Sequence, residues 1–107
     1  MAQKFDPDSG TVVETRQQKQ LKKPKLYKVL FHNDNYTTRD FVIAVLREVF
    51  HKGESDSVTI MLHVHNNGVG VAGVYTYEIA TTKVQLVEAL AREHEFPLRL
   101  TMDPEET

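Results

Sequence analysis

The alternation of hydrophobic and polar residues along the chain predicts three strands. Residues 26–32 alternate, with Val29 and Phe31 on one face and a mixture of polar and apolar side chains on the other. Because both faces carry apolar residues, we expect at least part of each face to be covered. Two later stretches, residues 69–77 and 98–102, are rich in β-branched and aliphatic residues and predict the other strands.

Three other stretches repeat hydrophobic residues every three or four positions, which predicts amphipathic helices. The first covers residues 38–51, with Thr37 as its N-cap, Asp40 in a capping-box-like position and Gly53 at its end. The residues of its apolar stripe are Val42, Val45, Leu46, Val49 and Phe50.

The second predicted helix begins after a cap at Ser55 or Asp56 and ends at an Asn-Asn-Gly sequence. Its apolar face comprises Val58, Met61, Leu62 and His65. The third helix follows a cap at Thr81 or Thr82 and ends before Pro97. Its stripe comprises Ala80, Val84, Val87 and Ala91.

The order strand, helix, helix, strand, helix, strand predicts an α+β fold. Each helix must bury its stripe, most simply on one face of a small three-stranded antiparallel sheet. Residues 1–24 are rich in charged and amide side chains, which predicts a disordered, flexible N-terminal extension. The core is then expected to span residues 25–103, and residues 104–107 to form a frayed tail.

The amino-acid composition and net charge limit the classes of function that the sequence supports. A chain of 107 residues with 40% hydrophobic and 26% charged residues is typical of one soluble globular domain. The formal net charge of -2 gives no reason to expect a nucleic-acid partner. There is no cysteine and no apolar run long enough to span a membrane. The sequence therefore predicts a cytoplasmic protein, expected to be a monomer.

The turn between the first strand and the first helix is the most informative polar segment. Asn33, Asp34 and Asn35 are consecutive, and such residues bond their own backbone in tight turns. The carboxylate of Asp34 is expected just outside a helix start, near backbone N–H groups. The segment is either an ordinary turn with a cap or a small polar receptor held between rigid elements.

Two further motifs are candidate sites. Gly68–Gly73 has dinucleotide-fingerprint spacing, but a helix precedes it and a strand follows, the reverse of that motif's context. His63 and His65 diverge on a helix, so they do not form one metal ligand set. His65 shares a face with Met61 and is expected to point inward, as a core histidine or as a pocket wall. No metal, cofactor or nucleophile–base pair is predicted.

Several short motifs occur in one order along the predicted core. In chain order they are Leu26-Tyr27-Lys28-Val29, Asn33-Asp34, Tyr36-Thr37, Phe41-Val42, Ile60-Met61-Leu62-His63-Val64-His65, Gly73-Val74-Tyr75-Thr76-Tyr77-Glu78, Thr82-Lys83-Val84 and Pro97-Leu98. The series resembles the ClpS family, the adaptors that bring N-degron (N-end rule) substrates to the Clp AAA+ protease. The resemblance covers about residues 26–102.

The resemblance implies a peptide-binding adaptor and not an enzyme. Such an adaptor binds a free N-terminal Leu, Phe, Tyr or Trp and hands the substrate to a ClpA- or ClpC-type ATPase. The residues implied to surround the α-amino group are Asn33, Asp34, Asn35 and His65. Those implied to form the side-chain pocket and its mouth are Thr37, Arg39, Val42, Met61, Val64 and Leu98. Glu78 and Lys83 are implied to contact the ATPase, and the N-terminal extension to serve in delivery.

Two features of the sequence depart from the family pattern. Asn35 stands where the family commonly has a second acid, which removes one negative charge near the amine. Thr38-Arg39 stands where the family commonly has Pro-Met, and the long Arg39 side chain is expected to keep its charged head in water. We therefore expect an altered preference for the N-terminal residue.

Two other functions are alternatives to this one. One is a general protein–protein interaction domain with the fold of the C-terminal domain of the ribosomal stalk protein, which does not need the Asn-Asp turn and an inward histidine together. The other is a small hydrolase using Asp34 and His65, which predicts turnover of a substrate. Binding of a peptide without product formation would exclude the hydrolase.

Overall fold

A computed structural model describes residues 23–106. Most of the predicted N-terminal extension, and the last residue of the predicted tail, lie outside the described residues. The elements are β1 (Leu26–His32), α1 (Arg39–Glu48), α2 (Glu54–Asn67), β2 (Val69–Thr76), α3 (Tyr77–Glu93) and β3 (Arg99–Pro104). This is the predicted order of elements and confirms the α+β fold. None of the helices among residues 23–106 combines the length and the apolar content that crossing a bilayer requires.

The three strands form one antiparallel sheet in the order β2-β1-β3. Val29 in the central strand pairs with Gly73 on one side and with Met102 on the other. The register of β1 with β2 shifts after Val29, so that Leu30 pairs with Val71. Because β1 is bonded on both sides, the turn that follows it starts from the most constrained strand of the sheet.

The helices cover one face of this sheet. Val29 and Phe31 point to that face and are 0% exposed, whereas Leu30 on the opposite face is only partly buried. The α3 helix contacts all three strands, α2 contacts β2, and α1 packs against α2. The ring of Phe50, just after α1, meets that of Phe31 edge-on with centroids 5.5 Å apart. Each fully buried large apolar side chain contributes about 1.5–3 kcal/mol to folding.

The helix starts differ from those predicted. The N-cap of α1 is Thr38, whose Oγ1 accepts a hydrogen bond from the Phe41 backbone N–H at 3.1 Å, and not Thr37. The N-cap of α2 is Gly53, without a side-chain bond, so the predicted caps Ser55 and Asp56 lie inside the first turn.

The third helix begins about one turn earlier than predicted. Its N-cap is Thr76, and the predicted cap Thr82 instead donates its hydroxyl to the Glu78 carbonyl oxygen at 2.9 Å. Intrahelical bonding of this kind is the usual alternative to capping for a threonine inside a helix. The strand β3 also runs past its predicted end at Met102, because Pro104 pairs with Tyr27.

Ser57 in the first turn of α2 provides a test of the packing. Its side chain is 0% exposed, and its hydroxyl oxygen has no hydrogen-bond partner among the described residues. A buried hydroxyl without a partner costs about 1–3 kcal/mol. We therefore expect Ser57→Ala to leave the free energy of unfolding unchanged or to raise it by about 1 kcal/mol, measured by urea denaturation with an unchanged m-value.

The matched control is Thr38→Ala, which removes a hydroxyl that does make a bond. Loss of this N-cap should lower the free energy of unfolding by about 1 kcal/mol. If Ser57→Ala destabilised the protein as much as Thr38→Ala, the hydroxyl of Ser57 would have a partner in solution.

Candidate functional site

The turn after β1 is closed by one carboxylate. Oδ1 of Asp34 accepts hydrogen bonds from the backbone N–H groups of Tyr36 and Thr37, each at 2.7 Å. Its Oδ2 accepts from the Thr37 hydroxyl, also at 2.7 Å. Thr37 therefore serves the turn, which explains why the neighbouring Thr38 caps the helix instead.

The protonation of Asp34 follows from these bonds. Burial alone would raise the pKa of the carboxyl group, but the hydrogen bonds from Thr37 and Tyr36 to the ionised form outweigh it, and the pKa lies below its ordinary value of 3.8. Asp34 is thus a carboxylate at neutral pH, and both of its oxygens accept bonds from within the turn. Its charge remains near the site while its acceptor atoms maintain the loop.

A second contact fixes the turn against α2. The backbone N–H of Asn33 donates to the Gly68 carbonyl oxygen at 2.9 Å. Gly68 ends α2 in the left-handed conformation, with φ of 88°, which a side chain rarely adopts. Gly70 then passes so close to α2 that an added Cβ would lie 2.8 Å from a Cγ of Val64. Small residues therefore bring the end of α2 close to the sheet and to the turn.

Between the turn, the start of α1 and the end of α2 lies a cavity of about 370 Å3. Its lining residues are Asn33, Asp34, Asn35, Tyr36, Thr37, Thr38, Arg39, Val42, Met61, Val64 and His65. All the residues predicted for the amine and for the side-chain pocket are among them, with the exception of Leu98. Leu98 is buried in the core just before β3, so its predicted contact with a substrate stays a prediction.

The cavity has a polar rim and an apolar floor. Val42, Met61 and Val64 are buried core residues that line its interior. Asn33 and Asn35, at the rim, are exposed and carry amide oxygens. A ligand with a cationic end and an apolar end matches this division, because each end meets groups of suitable polarity.

His65 is exposed, so of the two alternatives predicted for it the core histidine is wrong, whereas the pocket wall agrees with its place in the lining of the cavity. It lies in the last turn of α2 and lines the cavity. Its Nε2 is 2.9 Å from Nη2 of Arg39 across the mouth of the cavity. Arginine has no acceptor, so the guanidinium donates and Nε2 of His65 accepts, which places the ring proton on Nδ1.

Two lining residues were not predicted from the sequence. Tyr36 is 76% exposed at the rim, and Thr38 lines the cavity as well as capping α1. Both lie between predicted site residues in the same turn. For Tyr36 the sequence did contain a signal, because an aromatic residue in a short polar turn is not needed for packing and so indicates a binding surface.

The two residues predicted to contact a partner differ in their surroundings. Glu78 is exposed in the first turn of α3. Lys83 instead donates from Nζ to the Val49 carbonyl oxygen at 2.6 Å, where α1 ends. Its ammonium also lies 5.1 Å from the ring centroid of Tyr75 and 5.7 Å from that of Phe50. Lys83 therefore has a structural role that the sequence did not indicate.

Acidic, imidazole and thiol groups do not cluster as a metal site in the described part of the chain, residues 23–106. The groups that line the cavity can accept hydrogen bonds at its rim and enclose an apolar side chain at its floor.

Comparison with known proteins identifies the family. The family described as "ATP-dependent Clp protease adaptor protein ClpS" matches residues 22–101. The ClpS adapter protein of Myxococcus xanthus is 66% identical over 106 residues, covering 99% of each chain. That of Acetivibrio thermocellus is 54% identical over 95 residues, covering 89% of this chain and 96% of its own.

A solved structure supports the same assignment. Agrobacterium tumefaciens ClpS2, bound to L-phenylalaninamide, superposes with a TM-score of 0.74 at 42% identity, covering 78% of this chain and 100% of its own. The family resemblance predicted from the sequence is confirmed, as is the prediction of an adaptor and not an enzyme. The chain belongs to the ClpS family, the adaptor proteins of the ATP-dependent Clp protease.

Proposed function

We propose that this protein binds the free α-amino group and the bulky side chain of N-degron proteins, those beginning with Leu, Phe, Tyr or Trp. It then delivers them to a ClpA- or ClpC-type ATPase, acting as a cytoplasmic monomer. The proposal rests on one observation. The polar turn and His65 line the same cavity as the buried apolar residues Val42, Met61 and Val64, which form its floor.

The polar rim suits a protonated amine. An α-ammonium group has three N–H donors and needs acceptors arranged on one side. The side-chain oxygens of Asn33 and Asn35 and the Nε2 atom of His65 are the candidate acceptors at the rim. Asp34 contributes its negative charge and the shape of the turn, because its oxygens already accept three bonds. Charge-assisted bonds of this kind contribute about 1.5–3 kcal/mol each.

The apolar floor suits the first side chain of the substrate. Burying a Leu or Phe side chain contributes about 1.5–3 kcal/mol. Association costs at least about 4 kcal/mol of translational and rotational freedom. Three charge-assisted bonds and the side chain together contribute about 6–12 kcal/mol, which leaves about 2–8 kcal/mol after the cost of association. Because micromolar affinity corresponds to about 8 kcal/mol, it requires the full contribution of both the amine and the side chain.

The ligand of the Agrobacterium structure supports this assignment. That ClpS2 protein is bound to L-phenylalaninamide, a molecule with a free α-amino group, a benzyl side chain and no carboxylate. These are the features of a protein N-terminus that begins with phenylalanine. At 42% identity and a TM-score of 0.74, we transfer the same ligand class to this chain.

Delivery requires a surface for the ATPase. We assign Glu78 to that surface, because it is exposed at the start of α3, away from the cavity lining. Lys83 remains a second proposed contact with the ATPase. Its ammonium group also donates a hydrogen bond to the Val49 carbonyl oxygen, so it has a structural role as well. The N-terminal extension, residues 1–24, is proposed to engage the ATPase as well.

Fluorescence anisotropy with labelled peptides tests the recognition step. A peptide beginning with Phe should bind with micromolar affinity, and the same peptide acetylated at its N-terminus should not bind. Met61→Ala should weaken binding of the free peptide about tenfold, because it removes part of the apolar floor. Leu62→Ala, at an exposed position of the same helix, should leave the affinity unchanged. Equal binding of free and acetylated peptides would refute amine recognition.

Asp34→Asn tests the turn. Because the folded pKa of Asp34 is lowered, its ionised form stabilises the fold above the ordinary value of 3.8, and this contribution disappears as the pH falls through the lowered pKa. We expect the variant to unfold about 1 kcal/mol more easily at pH 7, a value reduced for partial exposure, and to bind the Phe peptide more weakly.

Urea denaturation of wild type and Asp34→Asn from pH 7 to pH 2 provides the measurement. The difference between the two unfolding free energies should shrink toward zero at the acid end. A difference that stayed constant with pH would show that the ionised carboxylate is not what holds the turn.

Glu78→Lys tests delivery separately from recognition. Anisotropy with the Phe peptide should be unchanged, while degradation of a Phe-tagged protein by the reconstituted ATPase and protease should slow at least tenfold. Glu93→Lys, at the other end of α3, is the matched charge reversal and should have no effect. Undiminished degradation with Glu78→Lys would remove this residue from the partner surface.

A further inference from the structure

The one hydrogen bond that crosses the mouth of the cavity joins two residues of the site itself, within the part of the chain that the structure describes. Arg39 is the first residue of α1 and His65 lies in the last turn of α2, on opposite sides of the opening. Nη2 of the guanidinium is 2.9 Å from Nε2 of the imidazole. The lone pair of Nε2 is therefore already bonded to a cation within this chain.

A substrate amine would need the same atom. An α-ammonium group resembles a guanidinium in charge and in donating N–H groups, and His65 offers one acceptor when neutral. Nε2 cannot accept a full hydrogen bond from both cations. The two positive charges would also repel one another at the distance at which both reach the same imidazole.

From this conflict we propose that Arg39 is a built-in competitor for the amine at His65, so that binding requires the guanidinium to leave the imidazole. The inference rests on the function proposed above and adds a residue that sets the affinity of the site. Any N-terminus that binds must first break the contact between Arg39 and His65.

The surrounding charges fit this role. The one carboxylate among the lining residues is Asp34, whose oxygens accept bonds from Thr37 and Tyr36 and so do not hold the guanidinium. Arg39 and His65 are both exposed, so water screens their bond and the guanidinium can be displaced. The contact therefore reduces affinity without blocking the cavity.

Arg39→Met is the informative variant, because it keeps a long side chain at the first position of α1 and removes the charge and the donors. We expect it to bind the Phe peptide about twofold to fivefold more tightly than wild type. The gain should shrink at high salt, since part of it is relief of charge repulsion. Arg47→Met removes an exposed arginine from the last turn of the same helix and should change nothing.

The tautomer of His65 gives a readout that does not depend on any ligand. Two-dimensional 1H–15N spectra at a pH where the ring is neutral should show the proton on Nδ1 in the wild type, because Nε2 accepts from Arg39. In Arg39→Met the Nδ1–H population should fall. A structural role for Arg39 elsewhere would leave this signature unchanged.

The outcomes separate the two proposals. Tighter binding by Arg39→Met together with the tautomer change supports the competitor. Selective binding of the free peptide by wild type, with no gain in Arg39→Met or with an unchanged tautomer, overturns the competitor and leaves the proposed function intact. Failure of both proteins to distinguish free from acetylated peptide overturns the proposed function, and the competitor with it.

Discussion

The arrangement of the site depends on the carboxylate of Asp34. Its three hydrogen bonds, each 2.7 Å long, convert the end of the central strand into a closed turn. The turn sets where α1 begins, and the bond from Asn33 to Gly68 sets its distance from α2. The rim of the cavity is therefore defined before any ligand arrives, which lowers the cost of ordering it on binding.

Much of the fold follows from periodicity in the sequence. The stripe through Val42, Val45 and Leu46 and the alternation of Val29 with Phe31 each point to the buried face that the structure shows. The first residues of the helices were harder to predict, because several neighbouring threonines could each serve as the N-cap. Thr37 was expected to cap α1, but its hydroxyl and its N–H both bond to Asp34, and only the three-dimensional turn reveals this.

The sequence indicated which residues lie together at the candidate site, but it did not indicate which of them bond to one another. Family resemblance placed Asn33, Asn35 and His65 at one site, and the structure brings them to one cavity. Helical periodicity assigned His65 to the apolar face of α2, yet its side chain is exposed in the last turn of that helix. The bonds of Arg39 to His65 and of Lys83 to Val49 join residues 26 and 34 positions apart, and no local pattern encodes them.

The closed turn also has an evolutionary consequence. The bonds from Asp34 go to backbone N–H groups and to Thr37, and they do not involve the side chains of Asn35 and Arg39. Those two positions can therefore mutate while the loop keeps its shape. With the rim proposed to contact the substrate, its preference can diverge through one or two substitutions at Asn35 and Arg39 while the bonds that hold the turn stay in place. A scaffold that separates the residues holding the loop from those proposed to face the ligand is well suited to such divergence.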